Sequence, residues 1–187
     1  MKKSILLLLF IVNTTLLFAQ KTDTLKRSID GTAIRSTDDI IESISKIKRL
    51  SKFAEFLNYS GLIDTIKSIG PITIFAPDNN GIVKLDSFYN ALSKPEHKWQ
   101  LAAVLKCYIV KGRFTSKDVL NLIRKNHGQA ILNTLSGTLT ATIDANRNIV
   151  LTDMNGGQSI ISIFDIQQKN GILDIITATL FPLKPPA

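Results

Sequence analysis

The stretch that most constrains this chain is Gly70-Pro71-Ile72-Thr73-Ile74-Phe75-Ala76-Pro77-Asp78-Asn79. Gly-Pro marks a turn, and it releases a short β-branched and aromatic run with almost no polar interruption. Such a run suits a strand covered on both faces, hence a central one. Pro77 has no N–H to give a sheet ladder, so the strand should end near Ala76. Asp78 or Asn79 can then cap the next turn or helix by accepting from free backbone N–H groups. A short buried helix is the competing reading, but prolines bracket a run too short for one. Phe75 belongs to the expected core.

The N-terminus reads as an export signal, residues 1–19. Lys2 and Lys3 form a positive region, Ile5 to Val12 an apolar one, and Leu16-Leu17-Phe18-Ala19-Gln20 a processing end. A membrane anchor competes with this, but Asn13-Thr14-Thr15 breaks the run short of the roughly 20 residues a span needs. No later stretch approaches a span, so no transmembrane anchor is expected in the mature chain. Cys107 is the one cysteine, which excludes an intrachain disulfide; the core of an exported chain must then hold without staples. At 187 residues there is room for one well-buried domain.

The formal charge of +8 falls to +6 once Lys2 and Lys3 leave with the acid-free signal. Nucleic-acid binding asks for clustered charge with interleaved aromatics. Here Lys and Arg are dispersed, with one local group at Lys46, Lys48, Arg49 and Lys52. That group reads as a solvated helix face, or as a weak contact for acidic glycans or an anionic surface. No nucleic-acid partner is expected.

Residues 20–36 are polar, with Asp30-Gly31 as a turn, and read as a linker; the domain proper spans 37–183, with 184–187 as a short tail. From Asp38 or Asp39, a cap, the spacing is helical, with Ile40, Ile41, Ile44 and Ile47 on one side. A second helix turns Phe53, Phe56 and Leu57 inward and ends at Gly61. Leu62, Ile63 and Ile66 form a third turn. Val83-Lys84-Leu85 and Ser87 to Leu92 look helical, and Pro95 or Glu96 starts a helix to about Lys106 with Trp99, Ala102, Ala103 and Leu105 on its apolar side. Cys107 to Val110 has strand character, and Cys107 reads as a small buried hydrophobe. Thr115 and Asp118 form a capping-box pair opening a helix that buries Val119, Leu122 and Ile123. Beyond Gly128 the chain is β in character. Leu135, Leu139, Ala141 and Ile143 alternate with threonines, Asp144 to Asn148 turns, and Ile149 to Thr152 returns. Asn155-Gly156-Gly157 and Asn170-Gly171 turn into Ile160–Phe164 and Ile172–Ile176. Helices and strands without regular βαβ alternation make the class α+β.

Gly70 to Leu85 and Asn170 to Pro182 together resemble the two signature boxes of the fasciclin (FAS1) family. The first is similar to Gly-Pro-Phe-Thr-Val-Phe-Ala-Pro-Thr-Asn. The second is similar to Asn-Gly-Val-Ile-His-Val-Ile-Asp followed by Leu-Leu-Pro, here Leu180-Phe181-Pro182. Thr134-Leu135-Ser136-Gly137 is similar to the family's Thr-Leu-x-Gly. The resemblance implies a wedge of two β-sheets flanked by helices, in secreted or surface proteins of adhesion. Departures are visible: the family's Tyr-His pair, linked with receptor contact in some members, falls on Cys107 and Tyr108. Its second-box His and Asp fall on Asp174 and Thr177.

Chemistry is poorly supplied. His97 and His127 are the candidate bases, one at a helix start and one at a helix end, and neither has a partner at metal-ligand spacing. No Gly-x-Ser-x-Gly elbow occurs. Asp144 to Asn155 imitates a calcium loop, yet Ile149 stands where Gly is required and Asn155 where Glu is required. Asn58-Tyr59-Ser60 fits a glycosylation acceptor but lies inside a helical pattern. The expectation is therefore no enzyme, cofactor or metal. It is a secreted or periplasmic, surface-associated module binding an extracellular or envelope protein. The alternative is a carbohydrate- or small-ligand-binding domain using exposed aromatics such as Tyr89 or Trp99. Candidate contact residues lie on loops: Asp78, Asn79 and Asn80; Lys111 and Arg113; Asn155 and Gln158.

Overall fold

A computed structural model describes residues 25–83, 86–92 and 94–181. The expected export signal and the tail at 184–187 lie outside the described residues, as does the side chain of Tyr89. The architecture is α+β, with sheets and helices around one contiguous apolar core.

The proline-bracketed run is a strand, Ile72–Pro77, buried at all six residues. In chain order it is β3, after a hairpin of β1 (Lys26–Ile29) and β2 (Thr32–Arg35). Six strands follow: β4 (Ile109–Lys111), β5 (Ala130–Asn133), β6 (Thr138–Ile143), β7 (Ile149–Thr152), β8 (Gln158–Gln168) and β9 (Gly171–Ile176). Seven of them form one ladder in the order β4-β3-β9-β8-β7-β6-β5. β8 belongs to both halves. Its start pairs with β7 through Val150↔Ile160, and its remainder pairs with β9, with register shifts around Ile163 that bend the strand from one half into the other. The two ends of the ladder meet again: Val110 bridges Thr134, and Leu135 N–H donates to Ile109 O at 2.9 Å.

The two signature segments become neighbours in the parallel pair β3–β9, in register from Ile72↔Gly171 to Pro77↔Ile176. Both strands are buried on both faces, as parallel strands require. The approach is close enough to dictate the residue at 171. A Cβ on Gly171 would sit 1.9 Å from Ile72 O and 2.9 Å from Ile40 Cδ1. The preceding Asn170 accepts from Ile40 N–H through Oδ1 at 2.9 Å and from Ile72 N–H through its carbonyl at 3.1 Å. One Asn-Gly turn thus fixes the first helix and the central strand.

The helices are α1 (Ile40–Lys46), α2 (Ser51–Ser60), α3 (Ile63–Ser68), α4 (Asn79–Val83), α5 (Asp86–Leu92), α6 (Lys98–Lys106) and α7 (Ser116–Lys125). Asp39 caps α1 in a capping box with Glu42, and Thr115 caps α7 in the same way with Asp118. Gly61, left-handed at φ 70°, ends α2. The expected inward residues Ile40, Ile41, Ile44, Ile47, Phe53, Phe56, Leu57, Val119 and Ile123 are buried; Leu122 is half-buried.

Three expectations change. The stretch 20–36 is not merely a linker, because from Lys26 it carries the β1–β2 hairpin. Ile29 and Ile34 are buried, and Arg27 donates to Phe164 O, tying the hairpin to β8. The strand expected from Cys107 begins at Ile109, since Cys107 and Tyr108 close α6 with bonds to Val104 O and Leu105 O. Trp99 does not join the apolar side of α6; it is 70% exposed, and Leu101 and Leu105 take the core positions.

Candidate interaction surfaces

The candidate loops fall at two ends of β3 rather than in one site. At the end where β3 and β9 finish, Asp78 N–H donates to Ile176 O at 3.0 Å and Asp78 Oδ1 accepts from Gly81 N–H at 2.8 Å. Asn79 is committed inward: its Oδ1 accepts from Lys52 N–H, and its Nδ2 donates to Lys48 O and Ser51 Oγ. Asn80 is exposed. These three residues line a shallow polar hollow of about 360 Å³ with Asp30, Lys48 and Arg49. Arg49 bonds to Asp30 and holds its carboxyl below the usual carboxylate range. Lys46 does the same to Asp38 at 2.8 Å, so Lys46 and Arg49 of the local basic group are both engaged in ion pairs.

Asn155 and Gln158 are exposed at the same end, on the β7–β8 turn. The buried Asp153 organises that turn, accepting from Asn155 and Gly157 N–H at 2.8 Å through Oδ1 and from Phe181 N–H at 2.8 Å through Oδ2. Lys111 and Arg113 lie at the other end, where Ile72 pairs with Lys111. Lys111 is exposed. The Arg113 guanidinium is a bracket, donating to the carbonyls of Gln168, Lys169 and Gly171 and to Gln167 Oε1 across the β8–β9 turn.

A further groove was touched by the candidates only at Lys111. Beyond the Val110–Thr134 bridge, β4 and β5 diverge, leaving a groove of about 580 Å³ lined by Val110, Lys111, Phe114, Leu122 and residues 131–135. It continues across Phe114 and Leu122 into a hollow of about 380 Å³ beside Asp118, Asn121 and Lys125. Phe114 is fixed as its floor: Phe114 N–H donates to Thr73 Oγ1 at 2.9 Å, and that hydroxyl donates to Gly112 O at 2.8 Å. Gly112, at φ +105°, permits the turn, and even a Cβ there would meet the Phe114 ring at 3.1 Å. Ile131 on the rim is 64% exposed. Residues of three distant elements make this groove, so no local motif announces it; even the short strand Ala130–Asn133, whose burial alternates, shows no alternation of apolar and polar residues in its sequence.

One carboxyl, that of Asp174, is deeply buried. Asp174 on β9 is 1% exposed, and burial pushes its carboxyl up to about 7. Asp165 N–H donates to its Oδ1 at 2.7 Å, which opposes that rise. Asp165, at φ 61°, in turn accepts from Ser116 N–H and Oγ at the start of α7. Thr177, the other departure in the second box, accepts from Ile160 N–H at 3.2 Å. Both positions therefore keep local bonds to β8.

Cys107 is buried and its Sγ lies 3.5 Å from Leu180 O; burial pushes the thiol well above its ordinary range, away from nucleophilic use. His97 contacts Gln100 Oε1, and His127 is exposed at the end of α7. Asp144 to Asn148 is a hairpin turn closed by Asp144 Oδ1 and Oδ2 on Asn148. Among the described residues no three His, Cys, Asp or Glu side chains converge as a metal site.

A bent seven-stranded ladder is built on a core parallel pair, closed end to end by one bridge and lined with helices. The chain belongs to the fasciclin domain family, whose Fasciclin domain model matches residues 48–182. It is similar to the FAS1 domain pair of the insect cell adhesion molecule Fasciclin I, with a TM-score of 0.68 at 16% identity, covering 82% of this chain and 56% of that one. It is 26% identical over 138 residues to the uncharacterized protein sll1735 of Synechocystis sp., covering 74% of this chain and 93% of that protein. Protein sll1483 of the same organism is 22% identical over 156 residues, 82% of this chain and 79% of that protein. Fasciclin domains are in general non-catalytic, extracellular modules of adhesion type.

Proposed function

We propose that this chain is an exported adhesion-type module that binds another protein at the cell surface or in the extracellular matrix. Membership of the fasciclin family supports the adhesion class, and the Lys2–Ala19 leader supports export. The observation that carries the reading is the contrast between a fully buried β3–β9 pair and an open apolar groove at the β4–β5 seam. A rigid interior with recognition at its rim is how a scaffold presents a binding surface. Mature chain, immobilised and probed with envelope or matrix extract, should capture a protein saturably. Absence of any saturable protein partner would contradict the reading.

One observation favours a second reading, contact with glycans: Trp99 presents an exposed aromatic face on α6. A glycan array with wild-type and Trp99→Ala chains separates the two. Glycan binding lost in Trp99→Ala, with no protein captured, supports the second.

A further inference from the structure

The groove between β4 and β5 has the chemistry of a strand-accepting site. The Thr134 N–H bond to Gly137 O, 3.0 Å, sets the alternation of the β5–β6 hairpin. Residues 130 and 132 then exchange bonds with β6, and Ile131 points its N–H and C=O to the opposite edge. That edge faces the groove, and Ile131 has no backbone partner there among the described residues. Among the described residues, the neighbouring edge of β4 is engaged around the Val110–Thr134 bridge. An unpaired edge beside an apolar trough is the template that an extended peptide completes by adding a strand.

The charge around the trough selects what enters. Lys111 and Lys125 stand at its two ends, exposed, and neither makes an ion pair among the described residues. Asp118 is the one acid on the lining, and its carboxylate is occupied by Thr115 N–H and Oγ. Arg113 is spent on carbonyls. The net demand is for negative charge. A second mature copy of this chain, at +6 once Lys2 and Lys3 are taken from the formal +8, brings the wrong sign.

We propose that the β4–β5 seam binds an extended, acidic segment of a partner protein. The segment adds a strand to the free edge at Ile131, lays apolar side chains over Phe114 and Leu122, and sets carboxylates against Lys111 and Lys125. This deepens the module reading above and rests on it for the existence of a protein partner.

The test uses the full mature chain and end-capped octapeptides: alternating valine and glutamate, and the same pattern with lysine for glutamate. The glutamate peptide should bind at least about ten-fold more tightly than the lysine peptide and slow amide exchange at Ile131. Lys111→Glu with Lys125→Glu, at exposed positions that leave folding intact, should lower that affinity at least about ten-fold. Equal binding of both peptides, or unchanged Ile131 exchange, overturns the proposal. So does concentration-dependent dimerisation that protects Ile131 without peptide, which assigns the seam to a second copy. Partner capture from extract that persists in the double variant, alongside failed peptide binding, overturns the groove while leaving the module reading standing. Peptide binding at Ile131 in a chain that captures no partner supports the groove and counts against that reading.

Discussion

Tyr108 and Leu180 exchange two hydrogen bonds across 72 residues of sequence: Tyr108 Oη donates to Leu180 O at 2.8 Å, and Leu180 N–H donates to Tyr108 Oη at 2.9 Å. The ring is fully buried and meets Phe53 edge-on with centroids 5.6 Å apart. One side chain therefore joins α2, the start of β4 and the end of the domain, a cross-link made without a disulfide. Tyr108→Phe keeps the ring, strands the buried Leu180 N–H and leaves its C=O only the weak Cys107 thiol donor. It should cost about 2–4 kcal/mol, since each unsatisfied buried group costs about 1–3. In a domain this size that is a fall of roughly 4–16 °C in Tm by calorimetry; a Tm within a degree of wild type would show that water replaces the hydroxyl.

Gly171→Ala should be among the most damaging single changes. The added methyl meets the Ile72 carbonyl of the paired strand, which cannot retreat without opening the parallel ladder. A loss above about 4 kcal/mol, or failure to recover soluble protein, is expected from chemical denaturation and expression yield.

Phe75 is fully buried in β3. Phe75→Ala should lose about 3–5 kcal/mol through the cavity it leaves, read as a lower urea midpoint. A near-native midpoint would mean the neighbours close over the space.

Asp174 gives stability an unusual pH response. Its folded carboxyl, raised by burial to about 7, lies above the value of about 3.9 in an unfolded chain. The folded state therefore holds the proton more tightly, and this group's contribution is fully favourable below about pH 4 and is lost as pH rises towards 7. Asp174→Asn keeps an acceptor for Asp165 N–H and removes the titration. It should gain stability relative to wild type between pH 4 and 8, by at most about 4 kcal/mol. Asp30, Asp38, Asp118 and Asp144, held below the ordinary range by bonds to Arg49, Lys46, Thr115 and Asn148, act in the opposite sense, so the difference between the two chains is the quantity to follow. Parallel pH curves for the two would contradict the buried, raised carboxyl.

The central pair was legible because prolines and an Asn-Gly turn bracket β-branched runs, and those signals are local. The capping box at Thr115 was legible for the same reason, whereas the cap of α1 was narrowed only to Asp38 or Asp39. The β1–β2 hairpin was not: each of its strands buries one apolar residue, Ile29 and Ile34, too few to set a period. Trp99 misled because a large aromatic on a helix reads as core, whereas the buried face of α6 carries Leu101 and Leu105. β8 runs past the expected Phe164 because its bulge at Asp165 interrupts the alternation without ending the pairing. Among the contact candidates, Arg113 and Asn79 proved to hold backbone together, a role set by residues more than 25 positions away. The seam at Ile131 depends on where the ladder's two ends meet, which only the assembled topology reveals.

Residue-resolved hydrogen exchange of the free mature chain tests the account most directly. Amides of Ile74, Phe75, Leu173 and Ile175 should exchange only through global unfolding, while Ile131 exchanges orders of magnitude faster although its neighbour Leu132 is protected. Fast exchange in β3 and β9, or an Ile131 amide as slow as theirs, would contradict a rigid parallel core carrying an open edge.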